Sequence, residues 1–184
     1  MLKIFFNFTL FLVILWGTNS CHDNNLNVTI QEMCSNPIRI NFDEMQLLNK
    51  KDSLPDSRKK LNNYRLIRYV SSAACTQCVM NAISSWSKEF TLLEEKGILD
   101  IVIILCPNQK KNQSIQNIYE NSDLDHIVYV DSCNIFLKDN SHIPHESLFH
   151  IFLLDSANNI VLVGDPVNNP KIKKLMFDYL DQKE

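Results

Sequence analysis

The strongest constraint in this sequence is a nearly uninterrupted apolar segment in the middle of the chain, Leu99–Leu105 (LDIVIIL). Its branched side chains favour a β-strand. A strand that is apolar at almost every position has both faces covered, which is typical of a central strand in a parallel sheet. Parallel strands need crossover connections, and these are usually helices. The segment therefore predicts an α/β domain with helices on both faces of its sheet.

The residues before this strand have the periodicity of an amphipathic helix. Apolar side chains recur at alternating spacings of four and three residues, which places them on one face of a helix. Gly97 ends this pattern, and a further strand candidate, Tyr64–Val70, precedes it. Strand, helix and strand thus follow one another along the chain. The apolar face consists of Val79, Ile83, Trp86, Phe90 and Leu93.

The remaining elements predict a mixed sheet. Two apolar runs, Phe149–Leu154 and Ile160–Val163, are separated by turn-forming residues and so predict a β-hairpin. Asn169 and Pro170 suit the N-cap and first turn of a final helix. Because hairpin strands are antiparallel, we expect both strand orientations in one sheet. The other predicted elements are an early strand at Ile38–Phe42, a polar helix from about 109 to 121, and a strand at His126–Val130.

The first twenty residues differ in composition from the rest. Lys3 is followed by the apolar run Ile4–Trp16 and then by small residues up to Ser20. This order is typical of a secretory signal peptide, and the apolar run is shorter than the roughly 20 residues of a spanning helix. We therefore interpret residues 1–20 as a signal peptide. An uncleaved anchor is the alternative.

The end of this segment, Gly17–Cys21 (GTNSC), resembles the signal of bacterial lipoproteins, although Thr18 stands where that family usually has leucine. The resemblance implies that Cys21 carries lipid and anchors the protein to a membrane of the cell envelope, facing the periplasm. A cysteine beside an ordinary cleavage site is the alternative. We expect residues 21–37 to form a flexible tether and residues 38–184 to form the folded domain.

Composition argues against two other classes of protein. The net charge of −3 gives no basic surface for nucleic acid. The six cysteines are spread too widely for a disulfide-stapled scaffold, and a chain of 184 residues can bury a core without one. An exported chain nevertheless lies where disulfides persist. The cysteines are Cys21, Cys34, Cys75, Cys78, Cys106 and Cys133.

Two of these cysteines, Cys75 and Cys78, fall at the junction between the Tyr64–Val70 strand and the amphipathic helix. Unpaired backbone N–H groups and the helix dipole stabilise a thiolate at a helix N-terminus. We expect Cys75 to be exposed and to attack. Cys78 is expected to turn toward Val79 and Ala82 and to resolve the mixed disulfide. A structural disulfide and half of a metal site are the alternatives.

Four segments of the chain resemble the thioredoxin superfamily: Tyr64–Cys78, Leu99–Pro107, Tyr129–Asp131 and Phe149–Asp165. The similarity is strongest to its membrane-tethered thiol–disulfide branch (TlpA-like proteins) and to peroxide-reductase-like domains. It implies a thioredoxin-like fold and a cell-envelope thiol–disulfide oxidoreductase that needs no cofactor. Its partners would be protein thiols and disulfides, with Cys75 as the attacking and Cys78 as the resolving residue.

The chain departs from that family at three places. Ala74 replaces the usual tryptophan, Thr76-Gln77 stands between the cysteines, and Phe149 falls where the family has a cis-proline. The nearest proline before it, Pro144, lies five residues earlier. These departures keep open a second function, a thioredoxin-fold binding protein with an inert disulfide.

A third candidate function is a copper-binding chaperone. Two thiolates and a histidine suit copper, and His142, His145 and His150 precede the hairpin. Copper-delivery relatives space their cysteines one residue further apart. Of the remaining thiols, Cys106 is interpreted as a buried small side chain or a third redox partner, and Cys34 and Cys133 as inert.

Overall fold

The computed structural model describes residues 21–48, 62–107, 115–122, 124 and 126–182. The strands in this part of the chain are β1 (Gln46–Leu48), β2 (Tyr64–Val70), β3 (Leu99–Leu105), β4 (Ile127–Val130), β5 (Ile151–Leu154) and β6 (Ile160–Val163). The helices are α1 (Cys21–Met33), α2 (Thr76–Glu95), α3 (Ile115–Glu120), α4 (Ile135–Asp139) and α5 (Pro170–Asp181), with 3₁₀ turns at Phe42–Glu44 and Ser147–Phe149.

The six strands form one sheet in the order β1-β4-β3-β2-β5-β6. Strands β4, β3 and β2 are parallel to one another, whereas β1, β5 and β6 each pair antiparallel with their neighbours. The strand β3 is buried at every position, as the sequence predicts for a central strand. The fold is α/β and thioredoxin-like, with a mixed sheet, which confirms the prediction.

Alternation along the strands divides the core into two layers, one on each face of the sheet. In β2, Leu66 and Val70 belong to the layer under α2, while Ile67 and Tyr69 belong to the opposite layer. This period of two is the ordinary consequence of strand geometry. The second layer receives α4 through Phe136. Helices therefore cover both faces.

The helix α2 carries the predicted apolar face. Ile83, Trp86 and Phe90 are almost completely buried in the first layer, and Val79 and Leu93 pack at its margin. The helix ends before Gly97, which has φ +68°, a conformation that glycine adopts without steric penalty. The sequence prediction of this helix is confirmed.

The predicted tether at 21–37 is wrong, because helix α1 occupies Cys21–Met33. Its C-terminal end is held by burial: Met33 is fully buried in the second layer, and Ile30 packs against that layer. The domain therefore begins before residue 38, and the chain enters it as a helix.

The predicted early strand at Ile38–Phe42 is also wrong. The Asn140 side chain accepts a hydrogen bond from the Arg39 N–H (2.8 Å) and donates one to the Arg39 carbonyl (2.7 Å). An amide side chain thus takes the backbone groups that a neighbouring strand would use. The edge strand forms later, at Gln46–Leu48.

Two predictions fall outside the described residues. These are the signal peptide at 1–20 and the first part of the polar helix, of which α3 is the described remainder. Across the parts of the chain that the structure describes, no helix is both long and apolar enough to span a membrane.

Trp86 tests the placement of α2. Its side chain is 1% exposed in the first core layer, so Trp86→Ala should leave a cavity and lower the free energy of unfolding by about 3–5 kcal/mol. Urea denaturation measures this change. Leu92→Ala is the control, because Leu92 lies on the same helix but is 61% exposed; its effect should stay within about 0.5 kcal/mol. A loss below about 1 kcal/mol in Trp86→Ala would contradict the burial of this face.

Candidate functional site

The two cysteines of the motif lie where the chain leaves the sheet and enters helix α2. Cys75 is the N-cap residue of α2, and Cys78 lies in its first turn. They form a disulfide, with Cα atoms 5.3 Å apart. Both residues are exposed, so the disulfide lies at the surface of the domain.

The N-cap geometry distinguishes the two sulfurs. Cys75 has extended backbone angles (φ −79°, ψ 105°), and its Sγ accepts a hydrogen bond from the Cys78 N–H at 3.4 Å. A side chain at this position faces the unpaired N–H groups and the positive end of the helix dipole. A thiolate is therefore favoured at Cys75. The position agrees with its predicted role as the attacking residue.

Cys78 differs from the expectation. It is exposed instead of turning into the apolar face, and Ala82, one turn later, is exposed as well. The predicted orientation of Cys78 toward the apolar face is therefore wrong. The helix begins so that Met80 and Ile83, not Cys78, point into the core. The expected difference in thiolate stability between the two sulfurs therefore comes from the N-terminus of α2.

A small cavity of about 80 Å³ lies beside the motif, and we call it the disulfide groove. Ala74 and Val79, which flank the two cysteines, form one side of it. His150, Ile151 and Arg68 of β2 also line it. The groove therefore adjoins the residues that flank the two cysteines in the chain.

The family resemblance puts Phe149 at the cis-proline position, but the residue that lines the disulfide groove is its neighbour, His150. Phe149 instead packs into the second core layer, away from the motif, and no cis peptide bond occurs among the described residues. The His150 carbonyl accepts the Tyr69 N–H at 2.9 Å, which ties this segment to β2. The backbone beside the disulfide is thus positioned by a trans peptide and an inter-strand hydrogen bond.

The His150 side chain is held in a neutral state. It is 2% exposed, and its Nε2 donates to the Pro144 carbonyl at 2.9 Å. The ring also packs edge-to-face against Tyr69, with centroids 5.0 Å apart. Burial lowers the pKa of His150, and this outweighs the opposing hydrogen bond to Pro144. The imidazole therefore contributes shape and no charge to the groove at neutral pH.

Arg68 brings a positive charge to the same groove. Its side chain is 19% exposed, and its guanidinium carbon lies 5.0 Å from the centre of the Trp86 ring. Asp165, which follows β6, is 3.9 Å from its Nη1. Burial lowers the pKa of Arg68, and the charge of Asp165 acts in the opposite direction. Arginine remains charged in such surroundings.

The three histidines of the copper hypothesis do not come together. His145 is exposed, and His150 is buried and bonded to Pro144. His142 lines a different cleft beside Arg39, and burial together with the Arg39 charge lowers its pKa. Within the described ranges, no three histidine, cysteine or acidic side chains are placed to hold a metal ion.

The other described cysteines are free thiols. Cys106 follows β3 and is buried in the second layer, to which Tyr69 also belongs. Burial raises the pKa of Cys106, which makes it a poor nucleophile and fits its interpretation as a buried small side chain. Cys34 and Cys133 are exposed. The side chain of Cys21 lies outside the described residues.

Sequence reasoning missed Arg68 as a residue of the site. A signal was present, because Arg68 is one of two arginines in a largely apolar strand and is the one nearer the cysteine motif. A charge at such a position is rare unless it is paired or used. Its contacts with Trp86 and Asp165 arise from tertiary packing, and a single sequence does not reveal them.

The fold and the site together define a class: a thioredoxin-fold domain with a two-cysteine disulfide at the start of its first crossover helix. No family model and no curated protein matches the chain. Solved structures with a similar fold include three proteins whose sequences are only distantly similar.

The first is a putative thiol:disulfide interchange protein DsbE from Chlorobium tepidum, with 14% identity, TM-score 0.48 and coverage of 74% of this chain and 93% of that one. The second is a domain of a possible thiol-disulfide isomerase from Cytophaga hutchinsonii, with 13% identity, TM-score 0.45 and coverage of 70% and 84%. The third is yeast Sco1 with copper bound, with 17% identity, TM-score 0.43 and coverage of 65% and 79%. Similarity this distant carries no information about activity.

Alkylation of the reduced protein tests the N-cap assignment. At pH 7 we expect a small alkylating reagent to modify Cys75 several-fold faster than Cys78, because the helix N-terminus increases the thiolate fraction of Cys75. Mass spectrometry of peptides after short exposures measures both rates. Cys34 is the matched control: it is exposed but follows the C-terminal end of α1, where the dipole disfavours a thiolate. Faster modification of Cys78 than of Cys75 would contradict the assignment.

Proposed function

We propose that this protein is a thiol–disulfide oxidoreductase of the bacterial cell envelope. Its redox group is the Cys75–Cys78 disulfide, and its partners are thiols and disulfides of other proteins. The observation that carries the proposal is that both sulfurs are exposed at the N-terminus of α2. A purely structural disulfide needs neither this exposure nor the N-cap position of one sulfur.

The reaction follows from the geometry in either direction. In the oxidised protein, a substrate thiolate attacks the Cys75 sulfur, the Cys75–Cys78 bond breaks, and Cys78 leaves as a thiolate stabilised at the helix start. A second substrate thiolate then attacks the substrate sulfur of the mixed disulfide and expels Cys75. The substrate has formed a disulfide and lost two electrons, and the protein has gained two thiols.

The reverse reaction reduces a substrate disulfide. The Cys75 thiolate attacks one substrate sulfur and releases the other as a thiolate. Cys78, only one helical turn away with its Cα 5.3 Å from that of Cys75, then attacks the Cys75 sulfur. This step restores the disulfide of the protein and frees the substrate as a dithiol.

Envelope location and lipid anchoring are supported by the sequence. Residues 1–20 have the order of a signal peptide, and Cys21 follows them directly. Periplasmic conditions allow disulfides to persist, which matches the oxidised pair in the structure. The anchor would hold the domain at a membrane surface of the envelope.

A redox titration separates the proposed function from an inert disulfide. We expect the Cys75–Cys78 pair to exchange with a dithiol buffer at a potential above about −300 mV, the range of exchangeable pairs. In cells, Cys78→Ser should trap mixed disulfides with partner proteins, because the attacking residue remains and the resolving thiol is gone. Non-reducing gels followed by mass spectrometry identify the trapped species.

Cys75→Ser is the matched control, since it keeps Cys78 but removes the attacking sulfur and should trap none. A potential well below about −300 mV, or equal trapping by both variants, would contradict the proposal. Copper bound stoichiometrically to the reduced pair, with no exchange, would favour the chaperone instead.

Lipid anchoring is tested separately. We expect the protein to fractionate with membranes in its native host, and Cys21→Ala to release it or leave its leader uncleaved, because the acyl chains are lost. Cys34→Ala should fractionate like the wild type, since Cys34 lies beyond α1. An unmodified, fully soluble wild-type N-terminus in mass spectrometry would overturn the anchor.

A further inference from the structure

The positive charge of Arg68 is only partly neutralised by its neighbours. Asp165 is its one ion-pair partner among the described residues, and the nitrogen and oxygen are 3.9 Å apart, the outer limit of such a pair. A guanidinium has five N–H donors. No described residue accepts a hydrogen bond from it, although its side chain is only 19% exposed. A cation this buried is normally paired and hydrogen-bonded.

Asp165 does not complete the pair, because its carboxylate is already hydrogen-bonded within the turn that follows β6. Oδ1 accepts the N–H groups of Val167 (2.8 Å) and Asn168 (3.1 Å). Oδ2 accepts the Asn168 side-chain amide at 2.7 Å. These three bonds hold the connection between β6 and α5. The carboxylate therefore stays at the turn, and Arg68 keeps donors to spare.

The other neighbours of Arg68 do not supply a counter-charge either. Trp86 offers the face of its ring, which attracts the cation weakly. His150, across the disulfide groove, is neutral and already donates to Pro144. Ser71 and Ser147 also line the groove and carry no charge, and Ala74 and Val79 near the motif are apolar. A carboxylate in this groove would thus meet the Arg68 N–H groups that no described residue accepts.

We propose that Arg68 binds a carboxylate carried by the substrate beside its reacting sulfur, so that the protein acts preferentially on disulfides flanked by an acidic residue. The inference rests on the proposed function, because it assigns the substrate class of the same site. Arginine and a carboxylate form charge-assisted, often bidentate hydrogen bonds. In a groove partly closed to water, such a pair fixes the substrate beside Cys75 as well as attracting it.

Two cystine peptides that differ only in Glu or Gln next to the cysteine test this preference. The reduced wild type should react with the Glu peptide roughly three- to tenfold faster, the size of one charge-assisted hydrogen bond reduced by partial exposure. Arg68→Gln should remove the preference, so that the ratio of the rates on the Glu and Gln peptides falls close to one. Added salt should weaken the wild-type preference.

Arg65→Gln is the matched control. Arg65 is the other arginine of β2, is also buried, and donates to the Asp155 carbonyl at 2.7 Å, at the opposite end of the strand from the motif. This variant should keep the full Glu preference. Equal rates of the wild type on both peptides, or an unchanged preference in Arg68→Gln, would overturn the inference.

A binding experiment keeps the two proposals separate. The same peptides with serine in place of cysteine cannot exchange, but the Glu form should still shift the Arg68 Nε–H signal in an NMR titration of the oxidised protein. The Gln form should not. If the protein exchanges no disulfide at all, the proposed function fails, but the NMR shift still shows whether Arg68 binds a carboxylate. If exchange occurs without any shift or preference, only the carboxylate inference fails.

Discussion

The parallel pairing of β2 with β3 is the interaction on which the rest of the molecule depends. All seven residues of β2 pair with β3, from Tyr64 with Leu99 to Val70 with Leu105, and the Cys106 N–H extends the ladder to the Val70 carbonyl. Because β3 is buried on both faces, a slip of one residue would turn each side chain into the wrong layer. The carboxyl end of β2 is therefore fixed, and the cysteine motif leaves the sheet from that end.

In the proposed reaction, different features of the site act on different steps. The N-terminus of α2 acts on the Cys75 sulfur itself. The segment around His150 positions backbone and adds no charge, whereas Arg68 supplies charge without touching the disulfide. The hydrogen bond between Tyr69 and the His150 carbonyl is what relates the two sides of the groove.

Local sequence patterns were sufficient to predict the elements that depend only on periodicity and capping. The apolar face of α2, the uniform burial of β3, the β5–β6 hairpin and the N-cap Asn169 follow from periodicity and capping, and all are present. The motif position was predictable for the same reason. The early strand was not, because the amide that occupies the Arg39 backbone belongs to Asn140, a hundred residues away. The His150 position and the Arg68 contacts likewise depend on pairing across the sheet.

Helix α1 changes what an anchor at Cys21 would mean. Thirteen residues of helix span only about 20 Å at 1.5 Å per residue, and the far end is locked into the domain through Met33. A lipid on Cys21 would thus hold the domain on a short, stiff stalk. Its working range would be a thin layer next to the bilayer, so that proteins tethered to or emerging from the same membrane would meet the disulfide far more often than freely diffusing ones.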